Sequence, residues 1–173
     1  MLIPPDFKTN KGDLARISNE IIIEYDKEHN DNPDIIFISP IIKIGTWVNK
    51  NIKYDITYVG SNDITAIETY NSKKGVCHHK TNLFNALMYS LGYQVLYILG
   101  YAIDRKKSFS VEDTHAWSLI KCDKNWLPFD VTWGIFSGRL PITHIFKQFG
   151  FKEKIESFDE IKFELIEVKG NIN

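Results

Sequence analysis

Lys74-Gly75-Val76-Cys77-His78-His79 is the stretch on which the reading of the chain turns. Gly75 offers the permissive backbone of a tight turn. Directly after it an apolar period of 3.6 residues begins. Leu83, Phe84, Leu87, Met88 and Leu91 recur at spacings of one, three and four, which is one face of a helix. Gly92 follows the last of them, where helices usually stop. The spacing predicts a helix of about four turns with Cys77 in its first turn. Unpaired N–H groups and the positive dipole end at that position favour a thiolate, and the thiolate is the nucleophilic form.

Upstream, residues 1–12 read as an irregular lead-in. Asp13 then caps a helix in which Leu14, Ile17, Ile21 and Tyr25 share a face. That helix ends in the polar stretch from Glu28 to Pro33, where His29 reads as a solvated loop residue. Ile35-Ile36-Phe37-Ile38 fits a strand or a buried helical turn equally. Ser39-Pro40 is a helix start, with serine as N-cap and proline at the first helical position. The helix turns Ile41, Ile44, Val48 and Ile52 inward, with Trp47 beside them, and runs to about Tyr54-Asp55. Asp63 caps a shorter helix through Ile64, Ile67 and Tyr70.

Downstream, Tyr93 to Ile103 is nearly all apolar and aromatic and predicts a central strand buried on both faces. Asp104 to Thr114 has the composition of a loop. Ala116 to Cys122 and Trp126 to Val131 form two further strands, joined as an antiparallel hairpin by the turn Asp123-Lys124-Asn125. Pro128 confines the second of them to an edge or a position outside the ladder. Pro141 opens a helix through Ile142, Ile145, Phe146 and Phe149, and Ile161 to Val168 alternates as a half-exposed last strand. Neither a repeat nor a linker interrupts the chain. The expectation is one domain over residues 1–173, α+β in class, with helices first and a mainly antiparallel sheet after.

The composition narrows the function classes. The 173 residues are 43% apolar and 13% aromatic, enough for a substantial core. Formal charge is −1 with both signs mixed, and only Arg105-Lys106-Lys107 forms a short basic run, so no nucleic-acid partner is expected. Two cysteines are too few for a disulfide framework or a four-cysteine zinc site, and pairing them would consume Cys77. The N-terminal residues lack the charged and apolar regions of a secretory leader, and the apolar runs are shorter than a membrane span. A soluble, cytoplasmic protein without a membrane partner is the expectation.

An ionised thiol needs a group to manage its protons. His115, in Asp113-Thr114-His115-Ala116-Trp117, lies at the start of one hairpin strand, and Asp130 near the end of the other. If Lys121 pairs with Trp126, then Trp117 faces Asp130 and His115 faces Thr132. His115 and Asp130 become diagonal neighbours on one face, about 7–8 Å apart at the backbone and within side-chain reach. A slip of one residue separates them onto opposite faces. In this register Asp130 holds the His115 ring in one tautomer and His115 shares a proton with Cys77. Each residue alone has a plainer reading: a small core thiol, a hydrogen-bonded strand histidine, a turn aspartate. A metal site at Cys77-His78-His79 is the rival. Adjacent helical residues point about 100° apart and converge poorly on one ion. Cys122, at the hairpin turn, reads as a bystander, and no role is assigned to His144.

These motifs resemble the transglutaminase-like superfamily. Lys74-Gly75-Val76-Cys77 with Leu83-Phe84-Asn85-Ala86-Leu87 and Leu91-Gly92-Tyr93 is similar to its cysteine motif. Thr114-His115-Ala116-Trp117 resembles the histidine motif, and Trp126 to Gly134 the aspartate motif. Trp47-Val48 through Ile52-Lys53-Tyr54-Asp55 looks like the preceding helix, so the resemblance covers about residues 39–134. It implies a papain-like core with Cys77 as nucleophile, His115 as base and acid, and Asp130 as orienter. The implied chemistry is attack on an amide carbonyl of a protein or peptide, release of an amine, and a thioester resolved by water or another amine. Transglutaminases, cysteine proteases, peptide N-glycanases and non-catalytic members share this pattern, so a binding or scaffold role stays open. Arylamine N-acetyltransferases look similar at the triad but have longer chains. His78-His79 stands where relatives often carry an acidic residue or arginine, and Val131 where proline is common. A backbone N–H at Cys77 with Trp47, Tyr54 or another side chain would stabilise the oxyanion. Neither a metal nor a cofactor is implied, and substrate, acceptor and oligomeric state are not.

Overall fold

The computed structural model describes residues 5–29, 39–61, 63–102, 114–141 and 143–149. Its centre is helix α5, Cys77–Ser90, whose side chains are buried on nearly every side. Leu83, Phe84, Leu87 and Met88 are fully enclosed, as the period predicts, but Asn82 and Asn85 on the polar side are buried too. The helix packs on α2 (Lys11–Glu28), α3 (Pro40–Asn51) and α4 (Ala66–Ser72), and also on strands β3 (Val95–Ala102) and β4 (Thr114–Cys122). A helix held by both layers cannot show a one-sided pattern.

The helices begin where their own side chains satisfy the first N–H groups. Ser39 Oγ accepts from Ile41 N at 3.3 Å with Pro40 in the first turn, and Ile41, Ile44, Val48 and Ile52 all face the core. The helix stops at Asn51, short of Tyr54, because Lys53–Tyr54 (β1) pairs in parallel with Lys74–Gly75 (β2). α4 is capped by Thr65 rather than Asp63, through a reciprocal box with Glu68, and closes on Lys73 in the left-handed region (φ 55°). At the N-terminus the expected irregular lead-in is instead the short helix α1 (Pro5–Thr9) followed by α2, so Asp13 lies inside the first turn and does not cap it.

Gly75 plays a part other than turning. A Cβ there would stand 2.5 Å from His79 Cβ, so the glycine lets the start of α5 lie against the strand before it. The helix terminus it supports is the one that carries Cys77.

Among the described residues the sheet has the order β5-β4-β3-β6, antiparallel throughout, with β5 spanning Asn125–Phe129 and β6 His144–Phe149. β4 and β5 pair in the register read from the sequence, Lys121 opposite Trp126, across a two-residue turn with Asp123 at φ 56°. β5 is an edge strand, which accommodates Pro128. β6 corrects the helix expected after Pro141. Ile145, Phe146 and Phe149 fit a helical period, yet β3 presents an open edge, and a run of β-branched and aromatic residues satisfies it. Pro141 makes only a turn, its carbonyl accepting from His144 N at 3.1 Å. The strand or helical turn expected at residues 35–38 and the last strand expected at 161–168 lie outside the described residues, as does the loop expected over 104–114 apart from Thr114, which opens β4.

The β3–β6 pairing shifts register between Leu99 and Gly100. A side chain on Gly100 would collide with the Ile145 carbonyl of β6 and the Trp117 ring of β4. Gly100→Ala is expected to cost about 1–3 kcal/mol, read as a lower urea midpoint, and to loosen β6 before the rest of the sheet in hydrogen exchange.

Candidate active site

Cys77 is the first residue of α5 and is 9% exposed. Two histidines follow it, and both are committed elsewhere. His79 Nδ1 accepts from Val76 N–H at 3.2 Å, so its Nε2–H donates to the Ser61 carbonyl at 2.7 Å. His78 Nδ1 meets the Tyr97 hydroxyl at 2.7 Å. The Cys77-His78-His79 metal rival therefore lacks His79, whose two ring nitrogens are both committed.

The hairpin register brings His115 to Asp130. Gly100 of β3 lies opposite His115, and Asp130 follows the end of β5. His115 Nε2–H donates to Asp130 Oδ2 at 2.7 Å. Cys77 lies near enough to His115 to act on its protonation, and with Nε2 occupied, Nδ1 is the ring nitrogen left for the thiol. Asp130 itself is fully buried, and its Oδ1 accepts from Thr132 N at 2.8 Å and Trp133 N at 3.1 Å. Asn49 fixes the loop that supplies those N–H groups, donating to the carbonyls of Val131 and Thr132 at 2.8 and 3.1 Å. The buried Lys80 in turn donates to the Asn49 carbonyl at 3.1 Å.

The electrostatics follow from these contacts. Burial alone would push the His115 imidazole down; the hydrogen bond to Asp130 and the nearness of Cys77, with their charges, outweigh it and raise it to about 9. Burial would raise the Asp130 carboxyl, but donation from His115 and His144 holds it well below the usual carboxylate range. Raised His115 stabilises the fold fully below about pH 6.5, its unfolded value, and that stability is lost as pH rises through about 9. Depressed Asp130 stabilises above about pH 4 and loses its contribution as pH falls through its folded value. The excess urea midpoint of wild type over Asp130→Asn is accordingly expected to be widest between about pH 4 and 6.5 and to shrink beyond pH 9.

Three further side chains reach the site. Burial, then the charge of Cys77, raises the Tyr97 hydroxyl, which shares a small cluster with Cys77 and Ala116. Tyr54, on β1, lies beside Cys77: burial, then the charge of Cys77, raises its hydroxyl. Trp47 instead stacks on Tyr70 at 5.5 Å under the Lys73 ammonium, so of the two named oxyanion candidates Tyr54 is the one at the thiol. The third is His144, whose Nε2–H donates to the same Asp130 Oδ2 at 2.9 Å. The sequence reading assigned it nothing because a helix after Pro141 would carry it away from the hairpin. Read as a strand on β3, the same residues place His144 opposite Ala102, two positions along from the residue that pairs with His115.

Comparison with known proteins rests on this geometry. The sequence profile of the transglutaminase-like superfamily matches residues 23–131, more than half of the chain. The chain belongs to the transglutaminase-like superfamily. The matched span of this superfamily member includes Cys77, His115 and Asp130 and ends before His144. Among solved structures it is similar to a protein from Cytophaga hutchinsonii described provisionally as a cysteine protease, with TM-score 0.52 and 23% identity over 77% of this chain and 42% of that one. A second, described only as a TGase, gives TM-score 0.49 and 16% identity over 82% of this chain and 36% of the other. The chain thus spans less than half the length of either. No curated protein matches it. The fold shared with the Cytophaga protein is the papain-like α+β arrangement. Both cysteines are free, and among the described residues no helix is long and apolar enough to cross a membrane.

Proposed function

We propose that the protein is a cysteine-dependent amide hydrolase or acyltransferase acting on a protein or peptide carbonyl. What supports this reading is that His115, its Nε2–H held by Asp130, lies near enough to Cys77 at the start of α5 for the thiol to act on its protonation. In this reading Cys77 Sγ gives its proton to His115 Nδ1 and attacks the amide carbon. The oxyanion is held by Cys77 N–H and the Tyr54 hydroxyl. Collapse of the tetrahedral intermediate breaks the C–N bond, and His115 returns the proton to the leaving amine. A thioester remains on Cys77, which water or a second amine resolves, and His115 now acts as base toward that acceptor. Asp130 keeps Nε2–H directed away from sulfur throughout and balances the imidazolium charge. Hydrolysis is the favoured outcome over cross-linking.

The experiment is capture of the acyl-enzyme. The protein is incubated with a library of acylated peptide amides, quenched in acid, and mapped by mass spectrometry. A hydroxylamine-labile acyl group on Cys77, absent from Cys77→Ala, supports the proposal; a library that leaves Cys77 unmodified overturns it. One observation favours a non-catalytic scaffold instead, namely that Cys77 is only 9% exposed with Tyr54 against it. The same absence of acylation is what that second reading expects.

A further inference from the structure

We propose that His115, Asp130 and His144 form a binding site for a transition-metal dication of the zinc class, and that the bound ion silences the thiol. The three ligand atoms, Nε2, Oδ2 and Nε2, lie within 4.8 Å of one another. Two imidazoles and a carboxylate are a donor set suited to zinc or cobalt rather than to magnesium or calcium, which prefer oxygen alone. Both rings aim the same nitrogen at one carboxylate oxygen, at 2.7 and 2.9 Å. A tetrahedral ion with bonds of about 2.0–2.1 Å keeps its ligand atoms about 3.4 Å apart. The two N···O separations therefore open by about 0.7 and 0.5 Å while the two nitrogens draw together, a movement within the reach of side-chain rotation.

The surroundings have the features that hold metal ligands in place. Oδ1 is tied by the Thr132 and Trp133 N–H groups, which leaves Oδ2 directed at the rings. The His115 and His144 side chains are 8% and 2% exposed and that of Asp130 is sealed, so the cage is nearly dry. Trp133 packs against both imidazoles, at 5.2 and 4.9 Å between centroids, and is itself 43% exposed. That indole therefore lies against both rings and reaches solvent.

The consequence for Cys77 follows from valence. Two N–metal bonds and one O–metal bond form, and waters leave the ion. Each Nε2 loses the proton it had donated to Asp130, to Nδ1 of the same ring or to solvent, and gives its lone pair to the metal, so each ring carries its remaining proton on Nδ1. For His144 that proton meets Thr143 Oγ1, 3.4 Å away. For His115 it faces sulfur, and with Nε2 held by the ion the ring can neither take the thiol proton nor pass one to the leaving amine. Binding of the ion rests on the three ligands alone; the silencing rests on the function proposed above.

The test separates the two. Cys77→Ala protein, in which sulfur at the site is removed, is titrated with Zn2+ by calorimetry and with Co2+ by visible absorption. One ion per chain is expected, with cobalt d–d bands and no sulfur charge-transfer band. Affinity for Zn2+ should fall at least tenfold when His144→Ala is added. Should that variant fail to fold, His144→Gln decides, since its amide keeps a donor toward Asp130 but ligates poorly. Absence of saturable one-to-one binding, or affinity that survives the substitution, overturns the site. This readout needs no substrate, so it stands or fails apart from catalysis. In wild type, Zn2+ should suppress Cys77 acylation and a chelator restore it. Suppression as strong in His144→Gln, relative to its own metal-free rate, overturns the silencing.

Discussion

Cys77→Ala is expected to lower turnover of any amide identified by acyl-enzyme capture by roughly 10⁴–10⁶-fold. The nucleophile splits one difficult displacement into two easier ones, and His115 with Asp130 has nothing to activate once sulfur is gone. The fold should survive. Cys77 lies in a small cluster with Tyr97 and Ala116 at the end of α5, apart from the main core built on Phe84, Leu87, Ile44 and Ile120. Removing one sulfur from that edge costs about 1 kcal/mol, so an unchanged circular dichroism spectrum should accompany the lost turnover. Turnover within tenfold of wild type would place the chemistry on another residue.

Asp130→Asn is expected to reduce turnover by about 10²–10⁴-fold, although it changes one atom. Oδ1 accepts from two backbone N–H groups and Oδ2 from two imidazole N–H groups. Every direction around this carboxylate is already a donor. An amide must turn its own NH2 toward one pair, so either the loop after β5 is pushed away or His115 loses its partner and its tautomer. The pH profile should move as well. In wild type His115 keeps its proton up to about pH 9, and the rate falls above that, where no acid remains for the leaving amine. Without the Asp130 charge the alkaline limb should shift down by about one unit or more, toward the ordinary histidine value. A slowed variant with an unmoved limb would mean that Asp130 supports the loop alone.

The meeting of His115 and Asp130 was readable from sequence because strand pairing has a strict period of two. Fixing Lys121 opposite Trp126 determined which face His115 and Asp130 share, and the hairpin has that register. The start of α3 was equally plain, since Ser39-Pro40 is a local signal that needs no tertiary partner. The readings that failed depended on distant chain. Gly75 looked like a turn residue, but the atom it makes room for belongs to His79, four residues on in a helix whose placement α2 and α3 determine. His144 was missed because isoleucine and phenylalanine at mixed spacings fit a helix and a strand alike, and only the open edge of β3 decides between them. Tyr54 gave no signal beyond its family position; the two-residue pairing of β1 with β2 is what delivers it to Cys77.

The most direct measurement is the rate at which iodoacetamide alkylates Cys77 at pH 6, followed peptide by peptide. Cys122, whose thiol burial pushes up, serves as the slow internal reference. The triad requires Cys77 to react at least tenfold faster in wild type than in His115→Ala, because the imidazole takes the proton from sulfur. Equal rates in the two proteins, both rising only as the pH nears about 8.5, would contradict it.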